Sequence, residues 1–281
     1  MRCDFFLMKR TVVLPTGREK DILMDVTSLN LDPKGIVIFC HGYKGYKDWG
    51  AWNLVANEFA RNGYAFIKFN FSHNGGTIEN PIDFPDLKAF GNNTYSKEVA
   101  DLHSVIDWSN KEFAAPIYII GHSRGGGIVT LVGAENAHVS KVISWAAVAD
   151  FKERFPIGEK LQQWKDNGVY HVVNGRTKQK MPHYYSFYED FINNEINLTI
   201  SKAAKEIRIP HLIIHGEMDE AVSVKDAHRL RSFNPKAVLE IISDTNHTFG
   251  SKHPWKKSFL SPALGEVVNK TINFIGLRNK L

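Results

Sequence analysis

The chain has 281 residues, 43% of them hydrophobic, which is long enough for one large α/β domain, or one domain carrying an insertion, with a core that needs no staples. Its 35 Lys and Arg against 30 Asp and Glu give a net charge of +5, scattered along the chain without the basic block of a nucleic-acid binder. The two cysteines, Cys3 and Cys40, cannot form a disulfide framework and favour a reducing, cytoplasmic setting; residues 1–10 are broken by charge and lack a signal-peptide core, and no apolar run approaches a membrane span.

Strand-like segments from Phe5 to Leu14 and Asp21 to Leu29 flank Pro15-Thr16-Gly17-Arg18, which reads as an antiparallel hairpin at a sheet edge. Gly35 to Cys40 is an unbroken apolar run, the pattern of a strand covered on both faces. Trp52, Val55, Ala56, Phe59 and Ala60 then recur at helical spacing, and Asn62-Gly63 closes that helix before a second apolar run, Tyr64 to Phe71. This is a β-α-β unit, so the sheet is expected to be mostly parallel, with helices on both faces. From Ser72 to Asn93 the chain is rich in Gly, Asn and Pro and has no period, which predicts a mobile or lid-like loop. Val99, Leu102, Val105 and Ile106 mark a second helix, and Val142 to Val148 reads as a further buried strand.

Between Asp150 and about Ile207 the alternation breaks and the composition turns charged and aromatic, which predicts an inserted, partly helical cap. Its aromatics, among them Tyr170, Tyr184, Tyr185 and Tyr188, suit either a substrate pocket or the cap's own small core, and both readings stand. The rhythm resumes with a strand at Leu212 to His215, a helix at Val224 to Phe233, a strand at Val238 to Ile242 and a last helix bearing Val268, Thr271, Ile272 and Ile275.

The chemistry concentrates where strands end. Ile117 to Ile120 runs into Gly121-His122-Ser123-Arg124-Gly125 and on into an apolar segment, so Ser123 sits where a buried strand turns into a helix. A serine hydroxyl is a weak nucleophile that needs a base, an acid to orient the base, and donors for the oxyanion that forms. Asp219 follows the strand ending at His215, and His247 follows the strand ending at Ile242. Parallel strands align their C-terminal ends, so Ser123, Asp219 and His247 are expected along one edge of the sheet. Asp150 competes as the acid because it follows the strand ending at Val148, and Asp244 reads as a turn residue. His41, His122 and His253 compete as the base, the first two better suited to packing. No His/Cys cluster has zinc spacing, and His211 with His215 lacks further ligands, so neither metal nor cofactor is expected.

With its serine, acid and histidine in that order, the chain resembles a serine hydrolase of the α/β-hydrolase fold, spanning 1–281 as a single domain with the cap at about 150–207. The matching residues are Gly121-His122-Ser123-Arg124-Gly125 as nucleophile elbow, His41-Gly42-Tyr43 as oxyanion loop, His215-Gly216-Glu217-Met218-Asp219 as acid turn and Asn246-His247-Thr248-Phe249 as histidine loop. Its compact length and single cap resemble the cinnamoyl (feruloyl) esterase and dienelactone-hydrolase-like groups. The resemblance implies a Ser123-His247-Asp219 triad with an acyl-enzyme intermediate, and an oxyanion hole made by the backbone N–H groups of Tyr43 and Arg124, the Arg124 side chain being a surface or ion-pairing group. The expected substrate is a small carboxylic ester. A peptidase or acyltransferase with the same triad, and a binding protein that kept the fold without turnover, are the competing readings. Oligomeric state leaves no signal in the sequence.

Overall fold

In a computed structural model that describes residues 7–277, the chain forms an eight-stranded sheet. Its strands are β1 (Met8–Leu14), β2 (Ile22–Ser28), β3 (Ile36–Cys40), β4 (Ala65–Phe69), β5 (Ile117–His122), β6 (Val139–Trp145), β9 (His211–Gly216) and β10 (Val238–Ile242). They lie in the order β1-β2-β4-β3-β5-β6-β9-β10. β1 pairs antiparallel with β2 and β2 antiparallel with β4, and every later pair is parallel. The predicted edge hairpin is therefore present; Phe5, Phe6 and Cys3 lie outside the described residues.

The helices explain why the central strands are apolar without alternation. Ile36, Ile38 and Cys40 of β3 join a core with α3 (Tyr95–Glu112), α4 (Arg124–Glu135) and α8 (Val224–Phe233) on one face. Val37 and Phe39 point the other way, into a second core with α1 (Trp52–Arg61) and α9 (Pro262–Gly276). Successive strand side chains alternate between faces, so a strand covered on both sides must be apolar at every position. In α1 the buried residues are Trp52, Val55, Ala56, Phe59 and Ala60, the helical stripe read from the sequence.

The stretch after β4 departs from expectation. It carries a short helix, α2 (Leu87–Gly91), capped by the Asp86 side chain on the N–H of Ala89 at 2.8 Å. Phe84 and Phe90 are buried against Tyr46 and Met181, and Asn74 donates to the Gly45 carbonyl at 3.2 Å. The segment has no period because its anchors are single aromatics packed over long range, and it is moored at several points.

Between β6 and β9 lie a 3-10 turn (Lys152–Arg154), α5 (Glu159–Asn167), an antiparallel pair β7 (Val169–Val173) and β8 (Lys180–Tyr184), α6 (Ser186–Asn193) and α7 (Ile200–Glu206). Aromatic rings pack this stretch together: Phe155 lies between Trp164, Phe187 and Phe191, and the Trp164 indole donates to the His183 carbonyl at 2.8 Å. Phe151 stacks on Tyr95 of α3 with centroids 3.8 Å apart, tying the segment to the sheet's helices.

Candidate active site

Ser123 occupies the sharp turn between β5 and α4 with φ 59° and ψ −119°, a conformation that side chains other than glycine adopt at a cost of about 1–3 kcal/mol. Its flanking glycines are a steric requirement: a Cβ on Gly121 would stand 2.1 Å from the Gly125 carbonyl oxygen, and one on Gly125 2.5 Å from that of Cys40. The turn is held by the Ser123 N–H donating to Trp145 O at 2.9 Å and by Gly126 N–H donating back to Ser123 O at 3.0 Å.

Across from it, the loop after β3 comes very close. A Cβ on Gly42 would be 2.8 Å from the Ser123 Cβ, so residue 42 must be glycine for Tyr43 to stand beside the serine. Neither the Tyr43 nor the Arg124 N–H has a backbone partner among the described residues, and Arg124 opens α4, where first-turn N–H groups have no intrahelical acceptor.

Asp219 follows β9 in a turn and its carboxylate is fully covered. Oδ1 accepts the N–H groups of Ala221 at 2.9 Å and Val222 at 2.8 Å, while Oδ2 accepts Nδ1–H of His247 at 2.7 Å. His215 on β9 brings a second imidazole, its Nε2 at 3.1 Å from the same Oδ2 and 2.9 Å from Val222 O. Burial pushes the Asp219 carboxyl up, but hydrogen bonds from His215 and His247 and the backbone donors outweigh it and hold the group well below the usual carboxylate range. A carboxylate only accepts, so Nδ1 of His247 carries a proton and Nε2 is the ring nitrogen left to face the cleft.

The competing residues are committed elsewhere. His41 is buried, donates from Nδ1 to Gly42 O at 2.9 Å and accepts the Phe71 N–H at Nε2 at 3.2 Å; burial drops its pKa to about 4. His122 donates to the His247 carbonyl at 2.8 Å, and burial together with neighbouring His247 lowers it to about 3. His253 accepts the Gly50 N–H at 2.9 Å. Asp150 lies just before the 3-10 turn, accepting from the N–H groups of Lys152 and Glu153, and faces Arg229. His211 meets Ser144 Oγ at 2.9 Å, and no group of side chains suited to a metal ion occurs among the described residues.

Ser123 and His247 line two lobes of one cleft. The first, about 480 Å³, runs past Trp49, Trp52 and Arg176; the second, about 460 Å³, runs under Tyr95, Phe151, Tyr170 and Val222. Of the four tyrosines singled out from the sequence, Tyr170 lines the second lobe, stacked 4.9 Å from His183. Tyr184 instead covers Gly91, and Tyr185 and Tyr188 pack on Trp164; none of these three lines either lobe. The aromatic stretch thus supplies one wall tyrosine, spends Tyr185 and Tyr188 on its own packing and sets Tyr184 against α2.

Two contributions escaped the sequence reading. His215 reads from the sequence as half of a metal pair and as the first residue of the acid turn, yet it brings a second imidazole to Asp219, with Nε2 3.1 Å from Oδ2. The Arg124 side chain is an ion-pairing group, as expected, but an enclosed one: it pairs with Glu98 of α3 at 3.3 Å and lies 4.5 Å from the Tyr43 ring centroid. Glu98 was legible in principle, because it sits four residues before Leu102 on the buried stripe of α3, where a carboxylate demands a partner.

The strand order, the serine elbow after β5 and the carboxylate–imidazole pair at the ends of β9 and β10 define a serine hydrolase of the α/β-hydrolase fold. Residues 31–193 match the family described as serine aminopeptidase, S33, and the chain belongs to that family. It is 25% identical over 232 residues to a monoacylglycerol lipase of Mycolicibacterium smegmatis, covering 74% of this chain and 79% of the relative. Among solved structures it is similar to Est1E from Butyrivibrio proteoclasticus (TM-score 0.67, 16% identity, 94% of this chain and 97% of that one). It is also similar to a dienelactone hydrolase from Anabaena variabilis (TM-score 0.62, 17% identity, 96% and 97%), a likeness of fold.

Proposed function

We propose that this protein is a cofactor-independent hydrolase of small carboxylic esters, with Ser123 as nucleophile, His247 as general base and acid, and Asp219 as the group that orients the imidazole. The observation that carries the reading is the 2.7 Å hydrogen bond from His247 Nδ1 to a fully covered Asp219, which leaves Nε2 available in the cleft that Ser123 lines. Ser123 Oγ attacks the ester carbonyl while His247 takes its proton. The tetrahedral oxyanion is held by the N–H groups of Tyr43 and Arg124, and the alcohol leaves with the proton from His247. Water, deprotonated by His247, then releases the acid from Ser123. Residues 150–207 act as a cap that contributes Tyr170 to the cleft, within a single domain.

The name of the curated relative, a lipase acting on monoacylglycerol, supports an ester as the scissile bond. A second reading, amide hydrolysis at a free amino terminus, is favoured by the family's description as a serine aminopeptidase. A fluorophosphonate probe is expected to label wild type and not Ser123→Ala, and 4-nitrophenyl butyrate to be hydrolysed about 10⁴-fold slower or worse by that variant. Undiminished turnover in Ser123→Ala would sink the assignment. Faster cleavage of aminoacyl 4-nitroanilides than of matched esters would replace ester with amide.

A further inference from the structure

The charged residues that line the cleft are all of one sign. Across its two lobes the lining includes Lys44, Arg124, Arg154, Arg176 and Lys252, and not one Asp or Glu. Three of these cations are partly offset from behind the wall: Arg124 by Glu98, Arg154 by Asp226, and Arg176 by Asp83. Lys44 and Lys252 have no carboxylate within salt-bridge distance among the described residues. Lys44 lines both lobes, beside the proposed oxyanion loop, and its pKa is lowered by burial and by neighbouring Arg124, as expected of a cation crowded by another with no counter-charge between them.

Arg124 carries the argument furthest. Its guanidinium offers five N–H donors, yet its hydrogen bond among the described side chains is the single one from Nη1 to Glu98 Oε1 at 3.3 Å. The side chain is 14% exposed, and that exposure opens into the second lobe, one residue along from Ser123. Rings of Tyr43, Tyr95 and Phe187 surround it at 4.5, 5.3 and 5.4 Å, so the fork is held in place with donors to spare. A buried guanidinium with unused donors facing a cavity is costly to keep unless something fills them. His183, which lines the same lobe beside Tyr43, is lowered to about 3 by burial and then by Arg124 and Lys44, so their positive potential is felt there too.

We infer that the natural substrate is an acidic ester, one bearing a carboxylate within a few bonds of the scissile carbonyl, which Arg124 and Lys44 receive in the second lobe. This rests on the ester-hydrolase reading and narrows it. The neutral ester still reacts, but it leaves the cationic wall without a partner.

The test pairs each acidic ester with an uncharged isostere. The 4-nitrophenyl monoester of glutarate is compared with 4-nitrophenyl 4-carbamoylbutyrate for an anion on the acyl side, and 3-acetoxybenzoate with 3-acetoxybenzamide for the alcohol side. A preference in kcat/KM for the acid of about 10- to 100-fold in at least one pair is expected, the span of a charge-assisted hydrogen bond. That ratio should fall to within about threefold in Lys44→Gln and in Arg124→Gln, and in wild type at high salt. Reading a ratio cancels any loss common to both esters, and Lys44→Gln keeps the test alive if Arg124→Gln does not fold. Binding of glutarate against glutaramide, measured by calorimetry on wild type and Lys44→Gln, reads the site without turnover. Absence of all ester hydrolysis with glutarate still bound therefore overturns the hydrolase reading alone. Equal or better use of the neutral ester in both pairs, with no preference for glutarate, overturns the acidic-substrate inference.

Discussion

Lys68 and Asp219 are both charged side chains near the C-terminal end of the sheet, and both are almost wholly covered, but their surroundings are opposite in kind. Lys68 Nζ reaches Asp25 at 2.6 Å and Asp48 at 2.5 Å, and Lys47 Nζ reaches the same two carboxylates at 2.6 Å each. Two cations meet two anions in a ring that joins β2, β4 and the loop after β3. Asp219 also has its oxygens filled, but the chain of contacts does not close: it passes to His247, whose second nitrogen is left over at the cleft, and nearby Arg124 keeps unspent donors. Charges that saturate one another hold a fold, and charges with capacity left facing a cavity are available for chemistry.

Exchanging one group in each cluster separates these roles, and the largest effect is expected at Asp219. In Asp219→Asn the Oδ1 contacts to Ala221 and Val222 can persist, but the second position becomes an amide N–H₂ that cannot accept Nδ1–H of His247. The imidazole then loses its orienting acceptor and its tautomer, and kcat on 4-nitrophenyl butyrate should drop about 10⁴-fold. The urea midpoint should move far less than for any change in the lysine ring. A variant that keeps its turnover but unfolds easily would put Asp219 with the structural charges and undo the contrast.

The converse variant, Lys68→Met, leaves Asp25 and Asp48 to share Lys47. Removing one partner of a buried ion cluster costs about 3–5 kcal/mol, because the remaining charges stay desolvated. Urea unfolding should register that loss while kcat of the folded fraction stays within about threefold. Acid adds a second readout. Burial raises the carboxyls of Asp25 and Asp48, but the two lysines outweigh it and hold both below their ordinary range. The stability they contribute is present above about pH 4, the unfolded carboxylate value, and is lost as pH falls through the lowered folded values. Wild type should therefore weaken on acidification below about pH 4 more steeply than Lys68→Met. Parallel pH profiles would mean that the ring is not what holds those carboxylates ionised.

What could be read from the sequence follows the same division. The frame was legible because apolar runs and the 3.6-residue stripe of α1 are local signals, and the hairpin could be read from Pro15 to Arg18. The serine elbow could be read because its glycines are forced by contacts within a few residues, as at Gly121 and Gly125. His215 and the enclosed setting of Arg124 could not, since their meaning depends on partners that only the fold delivers: Asp219 across a turn for one, Glu98 on another helix for the other. The stretch from Ser72 to Asn93 misled for a related reason, because Phe84 and Phe90 are anchors without periodicity. The tyrosines of the aromatic stretch illustrate the limit of composition, which said that rings would be there but not that Tyr170 alone of the four would face the cleft.

The smallest expected effects divide the loop after β3 into backbone and side chain. Gly42→Ala would force a Cβ against Ser123 and the His122 carbonyl, at 2.8 and 3.2 Å, and neither the elbow nor the loop can yield without moving the Tyr43 N–H. If that N–H is an oxyanion donor, its displacement should cost about 10²- to 10³-fold in kcat, with KM for a neutral ester changing much less. Tyr43→Phe removes instead the hydroxyl hydrogen-bonded with His183 Nε2 at 2.7 Å, a bond tying the loop to β8. The ring, its packing on Phe90 and its contact with Arg124 all remain, so stability should fall by only about 1 kcal/mol and kcat by a few-fold. The order of the two variants is the sensitive result. Were Tyr43→Phe to cost more turnover than Gly42→Ala, the side chain rather than the backbone of residue 43 would be meeting the substrate, and the saturated Tyr43–His183 pair would have to be moved from the groups that hold the fold to those that act on it.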